Sequence, residues 1–150
     1  MINIKNHHYL SLVYQLSLIL LTVIVISKWQ FLIAFRYDRD KVILCAPANG
    51  TLAALFPTGH AFGVERNDGV QIIVHIGVDT VNSKGEGFRL LDKRQGDCVK
   101  AGDPIVEADI AKLSKKYDMS VILIISDPKD KEFTFIDPQQ VSRGQSLLKK

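Results

Sequence analysis

The stretch Gly59-His60-Ala61-Phe62-Gly63-Val64-Glu65-Arg66-Asn67-Asp68-Gly69-Val70-Gln71-Ile72-Ile73-Val74-His75-Ile76-Gly77-Val78-Asp79-Thr80 decides the fold. A turn signal, Asn67-Asp68-Gly69, separates two alternating runs, the pattern of a β-hairpin. In the second run Val70, Ile72, Val74, Ile76 and Val78 share one face. Gln71, Ile73, His75, Gly77 and Asp79 share the other. Register decides whether two of the chain's four histidines meet. A two-residue loop, Asp68-Gly69, opposes Phe62 to His75 and His60 to Gly77. His60 and His75 are then diagonal neighbours, about 7 Å apart at the backbone. A three-residue loop puts them on opposite faces. We read the two-residue loop.

Working outward, many short apolar runs are bounded by glycine turns. Val42–Ala46, Thr51–Phe56, Gly87–Leu91, Pro104–Asp109, Ser120–Ser126 and Glu132–Ile136 read as strands, and Gln145–Leu148 as a last one. Ser120–Ser126 is a continuous apolar run and is expected to be buried on both faces. Ile110–Tyr117 is the one amphipathic helical piece, with Ile110, Leu113 and Tyr117 on one side. Val78–Val81 makes one helical turn. The pattern predicts an all-β protein, an antiparallel sandwich or barrel.

The chain has 150 residues, 47% hydrophobic and 23% charged, which suffices for one domain with a real core. Its net charge of +3 comes from basic residues scattered among acidic ones. A nucleic-acid partner needs a clustered basic stripe, so that class is excluded. Cys45 and Cys98 are far apart, without a Cys-x-x-Cys pair, and read as reduced thiols of a cytosolic domain.

The amino-terminal part differs. After a tail of residues 1–8, Tyr9 to Ser27 holds no charged residue. As a helix it spans roughly 28 Å, close to the hydrocarbon thickness of a bilayer. Residues 9–27 are therefore expected to form a transmembrane helix. Residues 28–41 then form a juxtamembrane linker carrying Lys28, Arg36, Arg39 and Lys41. That charge bias puts the domain at 42–150 in the cytoplasm, anchored at the inner face of the plasma membrane.

Ala46-Pro47-Ala48-Asn49-Gly50-Thr51, Thr58-Gly59-His60-Ala61-Phe62, Val74-His75-Ile76-Gly77-Val78-Asp79-Thr80-Val81, Lys84-Gly85-Glu86-Gly87-Phe88 and Val99-Lys100-Ala101-Gly102-Asp103 follow one another in order. Together they closely resemble the glucose-type IIA domain of the bacterial phosphoenolpyruvate-dependent sugar phosphotransferase system, from about Val42 to the carboxyl terminus. The resemblance implies an antiparallel β-sandwich and a phosphoryl carrier. It implies that His75 is the phosphorylated residue and that His60 is the family's second histidine. Thr58 and Asp79 correspond to the neighbouring threonine and acidic residue. The implied donor is the phosphocarrier HPr, and the implied acceptor a cysteine of a IIB domain. The family's usual N-terminal strands are expected to be missing, replaced by the apolar segment and linker.

Phosphoryl transfer to histidine needs a neutral imidazole nitrogen, donors for the equatorial oxygens and a dry surround. His75 is expected to be largely neutral near pH 7, and Gly77 to leave room for an incoming phosphoryl group. His60 can donate to that group, and Thr58 to a ring nitrogen or a phosphoryl oxygen. Asp79 can pair with an arginine of the phosphocarrier, or cap the turn at Thr80. Phe56, Gly63, Ile73 and Ile76 are candidates for an apolar docking rim. No cofactor is required. Two rival readings remain open. In one, His60 and His75, with Asp79 beside them, hold zinc. In the other, the chain is a degenerate IIA-like domain that only binds partners.

Overall fold

Alternation of apolar residues produces ten β-strands among the described residues, which are 22–27, 30–142 and 144–149 of the computed structural model. They are β1 (Thr22–Ser27), β2 (Gln30–Phe35), β3 (Lys41–Cys45), β4 (Gly50–Leu55), β5 (Ala61–Arg66), β6 (Gln71–Ile76), β7 (Phe88–Leu90), β8 (Cys98–Val99), β9 (Pro104–Asp109) and β10 (Val121–Asp127). One short helix, α1 (Ile110–Leu113), follows β9, and a 3-10 turn covers Thr80–Ser83. All pairings are antiparallel. A seven-stranded sheet runs β1-β2-β10-β6-β5-β4-β8, and a three-stranded sheet runs β3-β9-β7.

The two sheets face each other across one core. Leu52, Phe62, Val64, Val74, Ile76 and Val121 come from the large sheet. Val42, Leu44, Ile105, Val106 and Ala108 come from the small one. Phe62 has no exposed surface, and burying such a side chain stabilises the fold by about 2–3 kcal/mol. From α1, Leu113 closes this core, with Ile110 and Tyr117 packed partly against it, the side expected from their spacing. A second cluster, Ile33, Val70, Ile72, Leu123, Ile125 and Phe135, extends beneath β2, β10 and β6. Neither Cys45 nor Cys98 is in a disulfide.

Three expectations are corrected. Residues 22–27 are not helical: they form β1, paired with β2 from Thr22↔Ala34 to Ser27↔Gln30. The physical reason is the β-branched run Thr-Val-Ile-Val-Ile, which suits a pleated surface better than a helix. Residues 9–21 of the expected span lie outside the described residues, and no described helix is long and apolar enough to cross a membrane. The stretch read as a linker, 28–41, contains β2, which pairs with β10 from Phe35↔Val121 to Phe31↔Ile125. Leu32, Ile33 and Ala34 are buried there, so the domain begins upstream of Lys41.

Second, β10 is not buried on both faces. Val121, Leu123 and Ile125 are buried, whereas Ile122 and Ile124 are half-buried. The small sheet covers only one side of the large one, so the second face of β10 belongs to the sheet's outer surface. Third, Glu132–Ile136 is not a strand. It retains one bridge, Phe135↔Leu148, and its aromatic side chains serve as a cover for the second cluster. Lys129 and Asp130, both left-handed at φ +50° and +59°, turn the chain away from the sheet just before it.

Candidate functional site

The hairpin closes through three residues, Asn67-Asp68-Gly69, rather than two. Val70 accepts from the Arg66 amide at 2.9 Å, and the strands pair as Ala61↔His75, Gly63↔Ile73 and Glu65↔Gln71. Gly69, at φ +83°, supplies the left-handed residue that a three-residue loop of this kind requires. Simple alternation would then separate the two histidines. Their rings meet nevertheless, edge to face, with centroids 5.3 Å apart. His60 stands ahead of the first strand pair and directly after Gly59, whose φ of +74° lies outside the strand region. Pleat alternation does not govern a side chain placed there.

His75 occupies an interior position of β6 and is half-buried on the outer face. Its neighbours across the ladder are Ala61 on β5 and Ile122 on β10. The ring is oriented by its own chain, since Nδ1 lies 2.7 Å from the Gly77 carbonyl oxygen. A carbonyl only accepts, so Nδ1 carries the proton and Nε2 keeps its lone pair. His60 is buried. Its Nδ1 lies 2.5 Å from the Thr58 hydroxyl oxygen. When the hydroxyl donates, Nε2 of His60 is left as an N–H donor. Burial, and then the proximity of His75, push the His60 pKa below its ordinary 6.5, so it is neutral near pH 7. Phe56 completes a line of three rings, 5.1 Å from His60. It is 47% exposed, an unusual amount for a phenylalanine.

The remaining candidates fall on different sides of the sheet. Ile73 is half-buried on the His75 face, opposite Gly63. Gly63 is buried on that same face, with the Ala54 Cβ across from it. Ile76 is corrected: it has no exposed surface and belongs to the core, because it is one residue out of phase with His75. Asp79 opens the 3-10 turn in a left-handed conformation, φ +58°, and its side chain makes no capping bond. The capping reading is thereby corrected. Asp and Asn tolerate this conformation better than other residues. Gly77 turns its Cβ direction into the protein. At φ +78°, a Cβ there would run first into Thr80 Cγ2, and would sit 2.9 Å from the Met119 sulfur and 3.1 Å from the Asp118 carbonyl oxygen.

Two features went unseen in the sequence. Val81 is 49% exposed on the 3-10 turn, a second bare apolar side chain close in sequence to His75. The Gly77 carbonyl is the group that orients the His75 ring, and the glycine right after the strand was its only signal. Among the described residues no three His, Cys, Asp or Glu side chains gather closely enough to hold a metal, so Asp79 does not complete a three-ligand set with the two imidazoles.

An outward nucleophilic nitrogen beside a neutral donor imidazole, on the open face of a β-sandwich, defines a class: a domain able to take up and release a phosphoryl group on histidine. The comparisons agree. Residues 33–131 match the family of the phosphoenolpyruvate-dependent sugar phosphotransferase system, EIIA 1. The glucose-specific EIIA component of the Haemophilus influenzae phosphotransferase system is 35% identical over 117 residues, 77% of this chain and 69% of that one. The solved glucose permease IIA from Mycoplasma capricolum superposes with a TM-score of 0.70 at 32% identity, covering 77% of this chain and 74% of its own. The chain belongs to this EIIA family, whose members are phosphotransferase components carrying phosphate on histidine in sugar uptake.

Proposed function

We propose that His75 is the phosphoryl acceptor of this chain and that Nε2 is the reacting atom. One observation carries the reading: Nδ1 is engaged by the Gly77 carbonyl while the neutral His60 ring stands 5.3 Å away. The phosphorylated phosphocarrier HPr docks on the outer face. The bond from phosphorus to HPr breaks as the bond to Nε2 forms, and the proton stays on Nδ1, donated to the Gly77 carbonyl. His60 Nε2–H stabilises charge on the transferring group, and the Thr58 hydroxyl, donating to His60 Nδ1, holds that tautomer. Release to a cysteine thiolate of a IIB domain reverses the geometry, forming a phosphorus–sulfur bond and restoring the imidazole. The reaction takes place in the cytoplasm.

Phe56, Val81 and Ile73 supply the apolar docking surface, with Gly63 keeping it flat. Such a core with a polar rim is the usual anatomy of a protein interface. Asp79 makes no capping bond, which leaves its carboxylate to meet a basic group on the phosphocarrier.

The test is to incubate the full chain with enzyme I, HPr and phosphoenolpyruvate. Acid-labile phosphate on the parent, absent from His75→Gln, is the expected result. A folded parent that never labels would mean a domain that only binds partners.

A further inference from the structure

We infer that Asp118, held by Arg36 and Ser120, is a positioning residue for the His75 imidazole; this rests on His75 being the phosphoryl acceptor. The segment joining α1 to β10 contains Asp118-Met119-Ser120, remote in sequence from the hairpin. Two of its carbonyls reach the site loop: Asp118 accepts from the Val78 amide at 2.7 Å, and Ser120 from the Gly77 amide at 3.1 Å. The first bond matters most. The Val78 N–H and the Gly77 C=O belong to one planar peptide unit and point in opposite directions. Fixing the N–H on Asp118 therefore aims the C=O, and that C=O is the partner of His75 Nδ1. The hydrogen bonds lie in series, so each polarises the next.

The Asp118 side chain sets the direction of its own backbone. Its Oδ1 accepts from the Ser120 amide at 2.9 Å and the Ser120 hydroxyl at 2.7 Å, a local turn closed by an aspartate. Arg36, just beyond β2, lies over this turn. Its Nη2 is 3.5 Å from Asp118 Oδ1, and its Nε donates to the Ser120 hydroxyl at 3.4 Å. The Asp118 side chain is 15% exposed, so the pair is partly shielded from water. Packing supports the same arrangement, since Met119 fills the space beside Gly77. A carboxylate that touches neither phosphate nor imidazole thus determines which ring nitrogen carries the proton.

The decisive experiment uses the full chain with 15N-labelled histidine. Ring nitrogen spectra report the His75 tautomer, and the initial rate of labelling from phospho-HPr reports function. The parent is expected to show a protonated Nδ1. Asp118→Ala is expected to give a mixture of tautomers and labelling slowed about tenfold. Asp118→Asn keeps an acceptor for Ser120 and should restore both. Unchanged ring signals in a folded Asp118→Ala protein, or labelling at the parent rate, would overturn the inference. If Asp118→Ala does not fold, Ser120→Ala and Arg36→Ala test the same turn. Each is expected to shift the tautomer in the same direction by less, and unchanged spectra in both would overturn it. A parent that never labels at His75 defeats the acceptor reading instead, while its ring spectra still report the clamp.

Discussion

His75 and His60 reach one site by different means. His75 sits within β6, where the ladder on both sides fixes its face. His60 sits at the mouth of the ladder, its carbonyl accepting from the Ile76 amide at 2.7 Å, and is delivered by the turn Phe56–Gly59, in which the Gly59 amide donates to the Phe56 carbonyl at 2.8 Å. One is half-buried and oriented by a backbone carbonyl; the other is buried and oriented by a hydroxyl. A strand interior holds a nucleophile steady, whereas a turn residue is free of pleat alternation and can lean over its neighbour. The division suits a reaction with one fixed acceptor and one assisting donor.

The largest test of that contrast is His75→Gln, which should abolish acid-labile phosphate, measured with HPr, enzyme I and phosphoenolpyruvate. His60→Gln should leave His75 able to label but slow transfer, in uptake and release alike, by about 10²-fold, the usual cost of losing a charge-stabilising donor. Comparable labelled yields in both variants would erase the proposed difference in role. Gly77→Ala addresses the support under His75. A left-handed alanine with its Cβ against Thr80 Cγ2 and the Met119 sulfur should cost about 2–4 kcal/mol in urea unfolding. Thr58→Val addresses the support under His60 and should cost about 1 kcal/mol, with transfer slowed by about tenfold.

The smallest expected effect is on pH dependence. The His60 pKa is lower in the folded chain than its ordinary 6.5, so the unfolded chain binds the proton more readily. Stability from this source is complete above pH 6.5 and is lost as the pH falls from there toward the folded value. Urea midpoints measured downward from pH 7 should therefore fall less in His60→Gln than in the parent.

Much of the fold was legible because apolar alternation is a local signal. Pro104–Asp109 stands where its pattern placed it, and the strand at Val42 begins one residue earlier. The hairpin register was not legible. Asn67-Asp68-Gly69 is compatible with two loop lengths, and only pairing across the whole ladder selects the longer one. The histidines meet despite that register, through the positive φ of Gly59, which no period-two count contains. Ile76 fell on the wrong side of the rim because apolar character alone does not separate a core face from a docking face. The Asp118 turn lies far along the chain from His75, and only folding brings the two together. The apolar amino-terminal run shows the opposite failure, since residues 22–27 have the hydropathy of a membrane span but the β-branching of an edge strand.

Gly63 bears on how such a surface diversifies. It needs no left-handed backbone, and a Cβ there would meet the Ala54 side chain at an ordinary 3.5 Å. The fold therefore does not demand glycine at the one position opposite Ile73 on the acceptor face. A single methyl there would reshape the ground on which partners land while leaving the scaffold intact. Partner choice in this lineage could thus drift by single substitutions without first crossing a folding barrier.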